Sequence, residues 1–205
     1  MRIDVHGHLS APESLYAYKA NLLAHRGAHG RGGGGVTDET LRAALTAPNR
    51  SFGGKSHLQH LDDDGVDIQL MSPRPYQMMH SEQAKLVEWF TEETNDVIAR
   101  TCRLEPGRFR GVAGMPQSME TSPERWTKEL RRCVTEHGFV GAMLNTDPCE
   151  GSAQPPALGE RFWSSGPGRL AAAGGTRVAY RLPAHDAARA PPAARLATAR
   201  GRCGR

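Results

Sequence analysis

The chain has 205 residues, with 26 Lys and Arg against 22 Asp and Glu and a formal charge of +4 at pH 7. That length suits one ordinary domain, and an apolar content of 38% is enough for a globular core. No run approaches the roughly 18 apolar residues of a membrane span, the alternating start is no secretory leader, and four scattered cysteines (Cys102, Cys133, Cys149, Cys203) without a CxxC pair read as reduced thiols of a cytoplasmic protein.

The stretch 2–6 (RIDVH) reads as a short strand with Ile3 and Val5 alternating. It runs into IDVHGHLSAP, in which His6 and His8 stand two residues apart. Positions i and i+2 of a strand share a face, so both imidazoles can aim at one point. Two such ligands form half of a shell for Zn, Fe or Mn, whereas a catalytic site needs about three protein ligands. Two solvated histidines in a turn are the plainer alternative.

Residues 12–24 begin with Pro12 and suit a helix. The stretch 25–35 contains four consecutive glycines and is a loop. Its His25, Arg26, His29 and Arg31 offer a cationic lid over an anionic ligand, or simply a solvated loop. Short helices are expected at 38–46 and 55–63. VDIQLMS (66–72) reads as a buried strand and is followed by Arg74 between Pro73 and Pro75. The two prolines restrict the backbone there, and a guanidinium so held can grip a carboxylate through two hydrogen bonds. A surface arginine in a turn is the alternative.

The segment 81–101 places Leu86, Phe90, Thr94, Val97 and Ile98 at helical spacing. FRGVAGM (109–115) is strand-like. The next helix, 122–138, has Ser122 as N-cap, Pro123 at its first position and Gly138 as its stop. FVGAMLN (139–145) is a fourth strand, ending on Asn145, either a donor to a ligand oxygen or an ordinary turn residue. His57, His60, His80 and His137 read as structural or surface groups, and Trp89, Trp126 and Trp163 as core.

Four strands separated by helices predict a parallel sheet of α/β class, with the spacing of half a (β/α)8 barrel. The pattern stops near Trp163. Residues 164–205 contain eight Arg, no Lys and one acid, Asp186, while the preceding 163 residues carry a net −3. The basic balance therefore belongs to the tail and is no nucleic-acid footprint of the folded part. Of the 42 tail residues, 30 are Ala, Arg, Gly or Pro, and only 176–182 alternates as a strand does. That composition is what a GC-rich gene yields out of frame; a disordered basic extension is the alternative.

Five longer stretches carry a resemblance. They are HGHLSAPESLYAYKANLLAHRGAHGRGG (6–33), GVDIQLMSPRPYQMMH (65–80), VAGMPQ (112–117), GFVGAMLNTDPCEG (138–151) and PPALGERFW (155–163). Together they resemble the metal-dependent amidohydrolase superfamily, in the branch of aminocarboxymuconate semialdehyde decarboxylase, over residues 1–163. The resemblance implies a TIM-type (β/α)8 barrel of which this chain is the N-terminal half. It implies one divalent metal, Zn, with His6 and His8 as ligands. The remaining ligands of the family, a histidine after the fifth strand and an acid near the barrel's end, have no match, and His185 and Asp186 are not assigned those roles. The implied activity is water addition to 4-oxalomesaconate-like unsaturated tricarboxylates in protocatechuate and gallate breakdown. Arg74, His25, Arg26, His29 and Asn145 are the implied binders of that small polycarboxylate.

Relatives that share HxH also suggest non-oxidative decarboxylation or C–C hydrolysis. A reading of another class is a non-catalytic fragment or interaction protein whose basic tail contacts nucleic acid or acidic partners. A half-barrel leaves strand edges and core exposed, so association with another copy is expected, as is a homo-oligomer at full length.

Overall fold

In the computed structural model, four strands lie parallel and in sequence order. They are β1 (Ile3–His8), β2 (Ile68–Ser72), β3 (Phe109–Gly114) and β4 (Gly141–Leu144). The structure describes residues 1–25, 33–74, 77–118, 121–145 and the backbone of 177–180. A fifth strand, β5 (Arg177–Tyr180), falls within the alternating stretch of the tail and pairs antiparallel with β4.

Between β1 and β2 lie α1 (Glu13–His25), α2 (Asp38–Thr46), a 3-10 turn (Arg50–Phe52) and α3 (His57–Asp63). Among the described residues, one α-helix makes each later crossing, α4 (Ala84–Leu104) and then α5 (Pro123–His137). Parallel neighbours require such crossovers, and the helices cover one face of the curled sheet.

The helix ends follow local chemistry. Thr37 and Thr40 cap α2 reciprocally, with backbone-to-side-chain bonds of 3.2 and 3.1 Å. Ser56 and Gln59 do the same for α3. Pro123 opens α5 and Gly138 ends it at φ 68°, as the sequence predicts. Ser122 is the N-cap residue but makes no side-chain capping bond.

The two faces of the sheet differ. Met71, Phe109 and Ala113 face the helices and join Leu22, Leu41, Leu61, Leu86, Ile98 and Trp126 in the main core. Ile3, Val5, Leu70, Val112, Val140 and Met143 form a smaller cluster on the opposite, inner face. The inner strands β2 and β3 are buried almost throughout, whereas β1 is only partly buried, in keeping with its alternating sequence.

Asn95, fully buried in α4, ties helices to sheet. Its Oδ1 accepts from Gly114 N at 2.8 Å, and its Nδ2 donates to Gly114 O at 3.0 Å and to Glu129 Oε1 at 2.8 Å. The side-chain amide thus stands in for a neighbouring strand at the C-terminal end of β3.

Candidate functional site

His6 and His8 sit at the C-terminal end of β1, with ring centroids 4.9 Å apart and the planes at 79°. A break in the ladder puts them there. Asp4 is opposite Gln69, but Gly7 is opposite Met71, so β1 carries one residue more than β2 between those pairs. This bulge interrupts the strict alternation of IDVHGH. Asp4 and Gly7 face Gln69, on the helix side, while Val5 joins the inner cluster and His8 turns to Ser72.

His8 is oriented and kept neutral. Its Nδ1 lies 3.1 Å from Pro73 O and 3.1 Å from Ser72 Oγ. A carbonyl can only accept, so the proton is on Nδ1 and the lone pair on Nε2. Ser72 in turn donates to Gly7 O at 2.9 Å. Burial, then the neighbouring His6 and Arg74, lower the His8 pKa to about 4. A neutral imidazole held through Nδ1 to a carbonyl, with Nε2 bare, is the form that ligates a metal. The donor set thus fits an imidazole-preferring divalent ion as far as it goes. Among the described residues, no three His, Cys, Asp or Glu side chains gather into a metal-sized group.

Behind the bulge is a buried polar chain that local sequence patterns did not reveal. Ser10 Oγ is 2.9 Å from His57 Nδ1, and His57 Nε2 is 2.8 Å from Gln69 Oε1. Gln69 Nε2 donates to Asp4 Oδ2 at 2.7 Å, and Asp4 Oδ1 accepts from His6 N at 3.0 Å. His57 comes from α3 and is 1% exposed, so the reading of it as a structural histidine holds, and as a surface one does not.

Arg74 follows β2 and is half-buried, close enough to depress both His8 and His57. Downstream, Met79 takes φ 59° although it is not glycine, a backbone outlier in the same connection. Asn145 follows β4, and its backbone is clamped by the Gln117 amide. Gln117 Oε1 accepts from Asn145 N at 2.7 Å, and Gln117 Nε2 donates to Asn145 O at 3.0 Å. His80 Nδ1 donates to Gln117 O at 2.7 Å. The structure therefore gathers His6, His8 and Arg74 at the C-terminal ends of β1 and β2, and Asn145 at that of β4. His25 is the last residue of α1. Arg26, His29, Arg31, His185, Asp186 and Trp163 lie outside the described residues.

Burial also holds His57 below its ordinary pKa of 6.5, with its bond to Gln69 opposing in part. Both His57 and His8 take up a proton more readily in the unfolded chain. Their stabilising effect is complete above pH 6.5 and is lost as pH falls, for His8 down to about 4. The urea midpoint is therefore expected to drop between pH 7.5 and 5. His57→Phe should show a shallower drop, and a flat wild-type profile would contradict the assignment of neutral histidines.

The family described as Amidohydrolase matches residues 3–191. The chain belongs to the amidohydrolase family. It is 35% identical over 130 residues to 2-keto-4-carboxy-3-hexenedioate hydratase of Sphingobium sp. (strain NBRC 103272 / SYK-6), covering 62% of this chain and 36% of that protein. It is 36% identical over 89 residues to gamma-resorcylate decarboxylase of Rhodococcus jostii (strain RHA1), covering 43% and 26%. Among solved structures, 4-oxalomesaconate hydratase from Rhodopseudomonas palustris is similar at a TM-score of 0.64 and 29% identity, over 80% of this chain and 47% of that one. This amidohydrolase chain thus spans less than half the length of those relatives. The likeness supports the half-barrel reading of the parallel sheet.

Proposed function

We propose that this chain carries the first half of the site of a metal-dependent hydro-lyase. Its reaction would be water addition to a 4-oxalomesaconate-like unsaturated tricarboxylate in aromatic catabolism, in the cytoplasm, with the full-length protein a homo-oligomer. The observation that carries this reading is the oriented, neutral His8 beside His6. The similarity to two hydratases supports it.

His6 and His8 would hold a divalent ion, Zn by the family resemblance and compatible with imidazole ligands. Such an ion, when bound, supplies Lewis-acid polarisation of a carbonyl oxygen or activation of water. The rest falls to the chain's own groups. Arg74 would grip a substrate carboxylate through its guanidinium and set the distance of the double bond from His8. Asn145, its backbone fixed by Gln117, would donate to a substrate oxygen. His25, Arg26 and His29 would add positive charge over the polyanion.

The runner-up is non-oxidative decarboxylation, favoured by the similarity to gamma-resorcylate decarboxylase. One preparation separates the two. The full chain is loaded with Zn2+ or Mn2+ and given an oxalomesaconate-type substrate, following loss of the conjugated absorbance, and separately a hydroxybenzoate, following CO2 release. About one metal per chain is expected, falling below detection in His6→Ala/His8→Ala. Metal-free protein that turns over neither substrate would defeat both enzyme readings.

A further inference from the structure

A β-bulge leaves a backbone N–H of the longer strand without a ladder partner, and that group needs another acceptor. In β1 the group is His6 N, and Asp4 Oδ1 accepts from it across two residues. Asp4 cannot swing away, because its second oxygen accepts from Gln69. Gln69 cannot swing either, since its Oε1 accepts from His57, and His57 is fixed by Ser10.

Every donor in this chain has one direction. Gln69 Oε1 only accepts, so His57 carries its proton on Nε2, and the neutral ring accepts from the Ser10 hydroxyl on Nδ1. Gln69 then donates to the carboxylate, which accepts from His6 N. The bonds run from Ser10, just past the end of β1, through α3 and β2, and back into β1. The Gln69 side chain also fills the space over Gly7, where a Cβ would stand 2.1 Å from Gln69 Cδ.

We propose that Ser10, His57, Gln69 and Asp4 are positioning residues for the His6–His8 pair, holding the bulge that turns both imidazoles toward the C-terminal end of the strands. Their contacts run to the backbone of β1, through the bond from His6 N to Asp4 and the packing of Gln69 over Gly7. A core that only needed filling at Gln69 would be served by an apolar side chain of that length, such as methionine.

Two readouts on the full 205-residue chain test this. The first needs no metal. Hydrogen exchange of the His6 amide is measured relative to the Val112 amide of β3 in the same sample. In Gln69→Met the ratio should rise about tenfold, because the bond to Asp4 loosens locally, whereas loss of global stability alone speeds both amides together. Ser10→Ala, which removes only the outermost link, should raise it about twofold to threefold. Should Gln69→Met fail to fold, Ser10→Ala decides. An unchanged ratio overturns the proposal.

The second readout rests on the metal reading of the site. Co2+ titrated into wild type should give a d–d absorption band, and Gln69→Met should bind about tenfold more weakly with an altered band. An unaltered affinity and band in Gln69→Met counts against positioning. A wild type that binds no Co2+ defeats the metal reading instead, and the exchange ratio still decides the role of the four residues.

Discussion

Gly7→Ala is expected to destabilise the fold by about 3 kcal/mol, the sum of an overpacked contact and disturbed buried hydrogen bonds. At this chain length that lowers the melting temperature by about 10 °C. The added methyl would stand 2.1 Å from Gln69 Cδ and 2.3 Å from Gln69 Cγ. A free glutamine would rotate out of the way at little cost, but this one is tied at both ends, to His57 and to Asp4. Either β1 lifts from β2 or the polar chain breaks, and both displace His6 and His8. The test is a double-mutant cycle with Gln69→Ala. Shortening Gln69 removes the obstacle, so Gly7→Ala should cost far less in that background than alone, and the two changes should be strongly non-additive. Additive effects would mean that Gly7 is constrained by something other than the Gln69 side chain.

The same bulge marks how far the sequence alone could be read. Much of the element type was legible: alternation marked β1, helical spacing marked α4, and Pro123 with Gly138 bounded α5. Those signals are local, set by the backbone period and by the residues that start and stop it. The shared face of His6 and His8 was also legible from their spacing. Strict alternation, however, would have put them with Asp4 and opposite Val5. That they stand apart from Asp4 depends on one extra residue in β1, and what stabilises it comes from β2 and α3. His57 and Gln69 lie 12 residues apart, and Ser10 and His57 lie 47 apart. No periodicity couples such positions. The one local trace was Asp4, two residues before His6, the spacing at which a carboxylate accepts a backbone N–H.

Arg74 was legible for a related reason. Flanking prolines restrict the backbone on both sides, so its place after β2 follows from local chemistry. Its nearness to His8 and His57 follows from the fold. Asn145 was legible as a strand end, but what fixes its backbone, the Gln117 amide, comes from the β3 connection 28 residues away.

Asn95→Ala is expected to be the most damaging single change, at about 4 kcal/mol. It would strand Gly114 N–H and Gly114 C=O at the end of β3 and remove a donor from the buried Glu129 carboxylate. Each buried group so orphaned costs about 1–3 kcal/mol. Asn95→Asp separates lost bonds from lost volume. The aspartate keeps the acceptor for Gly114 N but, when ionised, faces both Gly114 O and the Glu129 carboxylate. Burial and that like charge favour its protonated form in the folded chain, which then donates again. Its folded pKa is raised, so stability is regained as pH falls through that pKa. Urea midpoints should therefore show Asn95→Asp closing on wild type from pH 8 to pH 5, while Asn95→Ala keeps a constant deficit. If Asn95→Asp instead parallels Asn95→Ala at both pH values, volume rather than hydrogen bonding fixes this end of β3. Gly114 leads directly into the connection that carries Gln117, so a loosened β3 end should also free Asn145. The Asn145 amide should then exchange faster in Asn95→Ala than its global destabilisation accounts for, which links a helix–sheet tie in the core to the spacing of groups at the strand ends.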